Sequence, residues 1–334
     1  MAKPNKKFIT ILDNERLIKQ LIDELVLQPR LNAIEWSKIT KQTPNIKIGY
    51  PGQHLASLVT GMTGERTGAR GNDLIDGSEV KSCSRIDQLD VCKNCDLSVA
   101  RLEQECSHCG SKDINRKNDS KWLFTIRNED DLKVLVDEVG RVVLLIGDYP
   151  NFDSGDFETL RFQAFEIWPN EERHKRFGEI MTNYYQKIYL SHRKKTPDKT
   201  PAPKNFWPYS YQFFISNPIR TFLCIVENAN TKPKIRIEKF VNPEDDRSKI
   251  ESENMPIEVV NDMELKKLIK KIDQSALNRI TTKKITLKEA RKTPLKTLRG
   301  FIESIPEDIR EYLELRDTDK ISSAKKKYSR RKNS

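Results

Sequence analysis

The stretch ARGNDLIDGSEVKSCSRIDQ, from Ala69 to Gln88, places two acids and a lysine close together in the sequence. We interpret it as a β-hairpin in which Asp73, Glu79 and Lys81 lie on one face. Strand side chains alternate between the two faces of a sheet, so a slip of one residue moves a side chain to the other face. The length of the turn therefore decides whether the two carboxylates meet.

A three-residue loop is the turn that brings the carboxylates together. A two-residue turn would leave Asp73 on the face opposite Glu79 and Lys81, whereas a loop of residues 75–77 pairs Asp73 with Glu79. Such loops favour a type I turn that ends in a left-handed residue, and Gly77 adopts that conformation without a Cβ penalty. Two carboxylates can hold Mg²⁺ when waters and a phosphate oxygen complete its octahedron. A metal, an activated water and a nearby positive charge are what phosphodiester hydrolysis needs.

The composition indicates a soluble protein with a strong positive charge. The chain has 334 residues, of which 36% are hydrophobic and 33% charged, and its formal net charge is +11. This length accommodates two or three structural units. The charge favours nucleic acid as a partner, although a lysine-rich solvated surface explains it equally well. No apolar run is long enough for a bilayer and the start lacks a signal peptide, so we expect a cytosolic protein without a membrane partner.

Hydrophobic periodicity predicts a mixture of helices and strands. Apolar residues recur at helical spacing, with interruptions at prolines, over residues 12–26, 31–39, 49–64, 129–138, 171–189 and 262–316. Alternating or continuous apolar runs predict further strands over residues 121–127, 141–147, 157–167, 209–215, 220–227 and 235–241. Together with the hairpin, these elements favour an α/β (α+β) fold.

Four of the six cysteines form two C-x2-C pairs that are separated by ten residues: Cys92, Cys95, Cys106 and Cys109. Two such knuckles predict a tetrahedral zinc ribbon, and a closed four-cysteine site is structural rather than catalytic. We expect the ribbon to brace the hairpin and to contribute to a DNA-binding cleft. The other two cysteines, Cys83 and Cys224, are expected to be buried small hydrophobic residues.

The string GARGNDLIDGSEVKSCSRIDQ resembles the active-site hairpin of the PD-(D/E)xK nucleases. It is similar in particular to type II restriction endonucleases of the MamI-like group, in which a cysteine-rich segment also follows the hairpin. The resemblance implies a PD-(D/E)xK core in which Asp73 and Glu79 bind Mg²⁺ and Lys81 is the catalytic lysine. It is strongest from about Gly49 to Pro150.

Many enzymes of this fold add one polar side chain from the helix before the hairpin. Gln53 is the candidate here, with Glu65 and His54 as competitors, although we expect His54 to pack or cap rather than to act as a base. Asp76 and Asp87 are not expected to be primary ligands, because Asp76 belongs to the turn and Asp87 lies beyond the hairpin.

The resemblance implies a restriction endonuclease of the prokaryotic cytoplasm that cuts double-stranded DNA, acts as a homodimer and has a cognate methyltransferase as its genetic partner. Two alternatives stay open: a repair or junction-type nuclease on the same core, and a non-catalytic zinc-ribbon DNA-binding protein. The expected domains are an N-terminal helical segment at 1–48 and a nuclease core at 49–190 that contains the zinc ribbon at 88–118. A mixed and mainly helical C-terminal region for DNA binding or dimerisation follows at 191–320, and a disordered basic tail at 321–334.

Overall fold

The computed structural model of the protein describes residues 2–45, 47, 49–65 and 73–319. Residues 69–72 of the stretch quoted above, and the predicted basic tail at 321–334, lie outside the described residues. None of the helices in the described part of the chain is both long enough and apolar enough to cross a membrane.

The helices begin at caps that the sequence supplies. The side chains of Asn128, Ser210 and Asn261 each accept a hydrogen bond from a backbone N–H in the first turn of the helix that follows. In chain order the helices are α1 (Asn14–Ile22), α2 (Gln28–Thr40), α3 (Gly49–Thr60), α4 (Glu129–Lys133), α5 (Lys175–Asn183), α6 (Leu190–Lys195), α7 (Tyr211–Ile215), α8 (Asp262–Lys271), α9 (Gln274–Ile280), α10 (Leu287–Lys292), α11 (Leu295–Arg299) and α12 (Glu307–Arg310). Wider π-helical turns continue α1, α4 and α5 at Asp23–Leu27, Val134–Glu138 and Tyr184–Tyr189.

The strands fall into one large sheet and three small ones among the described residues. In chain order they are β1 (Glu79–Ser84), β2 (Asp90–Cys92), β3 (Ser98–Val99), β4 (Ile114–Asn115), β5 (Trp122–Phe124), β6 (Val142–Asp148), β7 (Leu160–Ile167), β8 (Lys204–Phe206), β9 (Ile219–Glu227), β10 (Lys234–Phe240), β11 (Met255–Pro256) and β12 (Ser304–Ile305). The small sheets have the orders β3-β2-β4, β5-β8 and β11-β12.

The large sheet is mixed and has the order β1-β6-β7-β9-β10. Strand β1 runs parallel to β6, whereas the other neighbours are antiparallel. All seven residues of β6 are buried, as its continuous apolar run predicted. The register pairs Glu79 with Val142, so the first residue of β1 lies level with the start of β6.

A hydrophobic core lies where α1 and α3 pack with the large sheet. Its fully buried members come from both helices and from three of the strands, and include Ile18, Ile22, Ala56, Val59, Val143, Leu145, Ala164, Phe222 and Val226. Burial of each large apolar side chain contributes about 1.5–3 kcal/mol to folding. This packing fixes the position of β1, because Val80 belongs to the same cluster.

The predicted strand at 209–215 is wrong, because these residues form a turn and helix α7. Ser210 caps this helix by accepting a hydrogen bond from the N–H of Phe213 (3.3 Å). All five residues of α7 are buried, so the segment has no polar face to reveal its period. Its aromatic residues pack in the core: Phe213 contacts the ring of Phe206 with centroids 6.4 Å apart.

The chain divides into two compact units that interleave along the sequence. One comprises the segment that ends at Trp122, together with Val139–Trp168 and Ile219–Ile250, and it contains the large sheet. The other comprises Leu123–Glu138, Pro169–Pro218 and the segment that begins at Glu251. The sequence predicted domains that were consecutive ranges, with the nuclease core ending at residue 190. Strands β9 and β10 belong to the large sheet but lie beyond that residue.

Candidate active site and cysteine cluster

A tight turn precedes β1, and its loop is formed by residues 75–77. The N–H of Gly77 donates to the carbonyl of Leu74 (2.9 Å), and the N–H of Leu74 donates to the carbonyl of Ser78 (3.2 Å). Gly77 has a φ of +85°, the left-handed conformation for which a glycine was expected. Asp76 accepts the N–H of Ser78 with its side chain (3.1 Å), so it is part of the turn as predicted.

Of the predicted first arm of the hairpin, only Asp73 and Leu74 lie within the described residues, and neither belongs to a strand paired with β1, whose neighbour in the large sheet is β6. The chain before the turn lies beside residues 63–65: Glu65 donates its N–H to the carbonyl of Asp73 (3.0 Å), and Gly64 and Leu74 form an isolated bridge. Parity along the sequence could not reveal this pairing, because it compared only residues on either side of one turn.

Asp73 nevertheless reaches β1 through its side chain. One carboxylate oxygen, Oδ2, accepts the backbone N–H of Val80 at 2.7 Å. Val80 stands between Glu79 and Lys81, so the structure brings Asp73 to the same short segment as the other two predicted residues. This contact is a charge-assisted hydrogen bond, which is about twice as strong as a neutral one.

Glu79 and Lys81 lie on the same face of β1 and form an ion pair with each other. Their side chains are 21% and 27% exposed, so both are sheltered but reachable from solvent. The intervening Val80 points into the core beneath α3, which shows that alternation places the charged pair on the opposite face of the strand. The opposite charges of the two groups compensate each other in this pair.

The carbonyl oxygen of Val80 points to the same edge of β1 as the Asp73 carboxylate. The N–H groups of Glu79 and Arg85 donate to backbone carbonyls on the β6 side, at 3.0 and 2.7 Å. Because backbone groups of successive strand residues alternate in direction, the N–H and C=O of Val80 point away from β6. Asp73 takes that N–H, so its carboxylate and the Val80 carbonyl lie along the same edge of β1, while the Glu79 carboxylate lies on a face of the strand and pairs with Lys81.

The two auxiliary candidates occupy different places. Glu65 lies directly opposite Asp73 in the short antiparallel pairing, and residues opposite each other project their side chains to one face. Gln53 is exposed on α3, next to Gly52, which packs closely over Ser82. The structure therefore associates Glu65 with Asp73 and places Gln53 on the helix above the other face of β1.

The four predicted zinc ligands form one cluster. Their sulfur atoms all lie within 4.8 Å of one another, and this is the one group of three or more potential metal ligands of the His, Cys, Asp and Glu types found in the described ranges. The Sγ atoms of Cys92 and Cys109, and those of Cys95 and Cys106, are 3.6 Å apart. Sulfurs bound tetrahedrally at about 2.3 Å from zinc would be about 3.8 Å apart, so the cluster has the dimensions of a zinc site.

The two knuckles have the same backbone design. In each, the N–H four residues after the first cysteine returns to that cysteine's carbonyl, from Asp96 to Cys92 at 3.0 Å and from Gly110 to Cys106 at 2.8 Å. Asp96 and Gly110 both have positive φ values, 56° and 70°. Hydrogen bonds from the Asn94 side chain and the Ser111 backbone lower the pKa of Cys109 to about 6.

A family comparison covers both the candidate active site and the four-cysteine cluster. The sequence profile of the MamI restriction endonucleases matches residues 35–258, which are 224 of the 334 residues. The chain belongs to the MamI restriction endonuclease family. The type II restriction enzyme MamI of Microbacterium ammoniaphilum is 35% identical over 74 residues, which are 22% of this chain and 24% of that enzyme. The chain thus aligns with about a quarter of that relative's length, and no solved structure matches it.

A buried ionic network supports the turn in this MamI family member, and it was missed in the sequence. Arg141, just before β6, donates to Asp76 (2.6 Å) and to Ser78 (2.9 Å), and so holds both sides of the turn. It also pairs with Glu166 on β7, which in turn binds Arg247. Arginines that flank apolar runs, and a glutamate inside the run at 160–167, were the signals available. Such charges are rarely buried unless they are paired.

A second buried pairing fixes the cysteine segment of the family member to its core. Asp90 is fully buried and accepts two hydrogen bonds from Arg101, each of 2.8 Å, and a third from Arg116 at 2.9 Å. The Arg101 guanidinium also lies over the rings of Phe152 and Phe157, 4.8 and 5.3 Å from their centroids. The segment therefore contacts the core through paired charges on aromatic faces.

The two remaining cysteines are buried, as expected. Cys83 lies on β1 and Cys224 on β9, and burial raises the pKa of each thiol to about 12. Both are therefore neutral at physiological pH and serve as small apolar residues.

Proposed function

We propose that the chain is a type II restriction endonuclease that hydrolyses phosphodiester bonds in double-stranded DNA at specific sites and requires Mg²⁺. The observation that carries this proposal is the contact between the Asp73 carboxylate and the N–H of Val80, which lies between Glu79 and Lys81. It gathers two acids and a lysine at one end of an edge strand in a chain of the MamI family. A PD-(D/E)xK core is the fold that this arrangement supports.

The donor atoms at this end of β1 fit Mg²⁺. They are hard oxygens from Asp73, Glu79 and the Val80 carbonyl, and Mg²⁺ prefers such ligands together with several waters. When bound, the metal would polarise the scissile phosphate and lower the pKa of the attacking water. Glu65, opposite Asp73, is the further acid best placed to hold one of these waters.

The residues of the chain have separate roles in the proposed reaction. Asp73 and Glu79 would hold the metal to which the phosphate binds. Asp73 is kept in place by its hydrogen bond to β1. Lys81 forms an ion pair with Glu79. When DNA binds, Lys81 would exchange this contact for one with the phosphate or the water. Its ammonium group then stabilises negative charge that develops on the phosphate oxygens.

Further parts of the proposal follow from the restriction role. The four-cysteine cluster would hold one structural zinc, because its dimensions and closed donor set suit that ion. Palindromic DNA sites are matched by two-fold symmetric dimers, so we propose a homodimer. A methyltransferase would protect the host's own sites.

The first experiment tests the reaction itself. A mapped, unmethylated DNA is incubated with the protein with and without Mg²⁺, and the fragment ends are sequenced. Cleavage of plain duplex at discrete sites, only with Mg²⁺, supports the proposal. Cutting that is confined to junctions or damaged DNA would favour a repair nuclease, and binding without any cleavage would favour a non-catalytic DNA-binding protein.

The second experiment tests the residues. Glu79→Gln preserves the size of the side chain but removes a metal ligand, so cleavage should fall by on the order of a thousandfold while DNA binding in EDTA changes little. Glu158→Gln is a matched control, because Glu158 is an exposed acid just before β7. A Glu79→Gln protein that cuts as fast as the control would refute the assignment.

A further inference from the structure

The segment that follows the family match has a concentrated positive charge. Residues 262–300 contain 12 Lys or Arg against four Asp or Glu, a net formal charge of +8 within a chain of +11. The match to the MamI family ends at residue 258, so this segment lies beyond the part that the family profile describes. It comprises helices α8 to α11 in the described structure.

A groove of about 310 Å³ lies between α8, α10 and α11. Its floor is apolar and includes Ile269, Ala290 and Leu298, each at most 2% exposed. Its polar side chains include the exposed cations Lys266, Lys270 and Arg291. No acidic residue is among those that line it.

Each of the four acids of the segment has a hydrogen-bond or ion-pair partner other than the three cations of the groove. Two pair with arginines and two cap helices: Asp262 with Arg299 (2.7 Å), Glu264 with Arg316 (2.6 Å), Asp273 with the N–H of Ala276 (2.7 Å) and Glu289 with the N–H of Thr286 (2.8 Å). None of the four is among the residues that line the groove.

The lysines of α8 differ between its two sides. Lys267 and Lys271 share the carboxylate of Glu314, at 2.5 and 3.7 Å. Lys266 and Lys270 are one helical turn apart at the groove, with Arg291 beside them. Like charges four residues apart on a helix repel each other, and an anionic ligand between them would relieve that repulsion.

We propose that this groove is a second DNA-contact site, which binds the phosphate backbone of the duplex outside the catalytic centre. The inference depends on the proposed function for its choice of polyanion. Lysine ammonium groups are compact point charges that suit phosphate, and such contacts position a protein on DNA without reading its sequence. The Arg291 guanidinium donates to the carbonyls of Ile269 and Lys270 (3.5 and 3.4 Å), which offsets the negative end of α8 beside the bound phosphates.

The test measures binding of the full-length chain to a 30-base-pair duplex in EDTA, by fluorescence anisotropy over a range of salt concentrations. The variant is Lys266→Gln with Lys270→Gln. Each lost phosphate contact reduces the slope of log K against log salt by about 0.9, so the slope should fall by about 1.8. At 0.1 M salt this change in slope corresponds to an association constant up to about 60-fold smaller than that of the wild type. The loss should be the same for any duplex sequence.

The matched control is Lys267→Gln with Lys271→Gln, which removes the same charge from the same helix. Because Glu314 already pairs with both lysines, this variant should bind DNA within about twofold of the wild type. An unchanged slope in the Lys266 and Lys270 variant, or an equal fall in the control, would overturn the proposal.

A second measurement needs no variant. In the wild-type protein, bound duplex should protect Lys266 and Lys270 from an amine-labelling reagent, as read by peptide mass spectrometry. Labelling of both at the rate of the unbound protein would also refute the site, and protection by an acidic peptide instead of DNA would assign the groove to a protein partner. If these lysines bind DNA but Mg²⁺ gives no cleavage, the proposed function fails and the groove stands. If Mg²⁺ gives cleavage but DNA does not protect these lysines, the groove proposal fails and the proposed function stands.

Discussion

Replacing Glu166 with glutamine should destabilise the unit that contains the large sheet. Glu166 is fully buried, and its two oxygens accept hydrogen bonds from Arg141 (3.5 Å), from Arg247 (3.2 and 3.3 Å) and from the Trp168 indole (3.1 Å). With Asp76, the other acid that Arg141 binds, the network has two positive and two negative groups. Glutamine leaves this buried network with a net positive charge.

The expected loss is about 3–5 kcal/mol, the usual cost of removing one partner from a buried ion pair. Glutamine fills the same volume as glutamate, so no cavity contributes to the loss. Arg247 is also fully buried and would retain neutral acceptors such as the carbonyl of Asn242 (2.7 Å). Since domains are typically stable by 5–15 kcal/mol, the variant would be marginally folded.

The effect should also depend on pH. Burial by itself would raise the pKa of Glu166, but the charges of Arg247 and Arg141 outweigh burial and lower it. A carboxyl group with a lowered pKa stabilises the fold above its unfolded pKa of about 4.3, and this contribution is lost as the pH falls through the folded value. The difference between wild type and Glu166→Gln should therefore narrow below about pH 4.

The assay is urea denaturation at pH 7 and at lower pH, monitored by tryptophan fluorescence. Because the chain has two units, hydrogen exchange of peptides from β7 is needed to assign the transition to the large sheet. Glu158→Gln is the control, and its exposed position predicts a change within about 0.5 kcal/mol. A loss below 1 kcal/mol for Glu166→Gln at pH 7, or a difference that does not narrow in acid, would refute the reasoning.

Three other predictions concern separate parts of the molecule. Elemental analysis should find one zinc per chain, and Cys92→Ser with Cys106→Ser should remove it; a folded wild type without metal would contradict this. Gly77→Val should cost about 1–3 kcal/mol, measured by thermal unfolding, because φ is +85° there, and a neutral effect would show that the turn relaxes freely. Burial lowers the pKa of His174 to about 4, so unfolded chains take up a proton near pH 6.5 that folded ones do not. The stability should thus fall by about 3 kcal/mol from pH 7 to pH 4, and His174→Gln should remove that dependence.

Local sequence patterns predicted those features that depend on neighbouring residues. The helix over residues 129–138, the buried strand β6 and the loop with Gly77 all follow from short-range rules, and the structure has each of them. The pairing of β1 with β6 depends on residues about 60 positions apart, so side-chain parity around one turn could not find it. Parity chose the loop that the structure has, but it did not indicate β6 as the neighbour of β1.

Buried charge is the other feature that the sequence did not reveal. Arg141 and Glu166 stand at the edge of or within apolar runs, and each was treated as part of a strand rather than as a partner for the other. Their pairing joins β6 to β7 and requires the three-dimensional register that places these strands side by side. The auxiliary position had the same difficulty: the resemblance favoured Gln53 on the preceding helix over Glu65, whereas backbone pairing places Glu65 opposite Asp73.

The buried network and the candidate site make opposite demands on the same turn. Arg141 holds Asp76 and Ser78 in a setting that excludes water, so substitutions there should reduce stability first and activity only through misfolding. Asp73 and Glu79 are partly exposed and hold their positions mainly through the backbone of β1, so their substitution should cost little stability. A turn that is rigid on its buried side can therefore present carboxylates that remain partly exposed on its other side, as the proposed function requires. Loss of cleavage without loss of folding in Glu79→Gln, and the reverse order in Glu166→Gln, is the pattern that this division of roles requires.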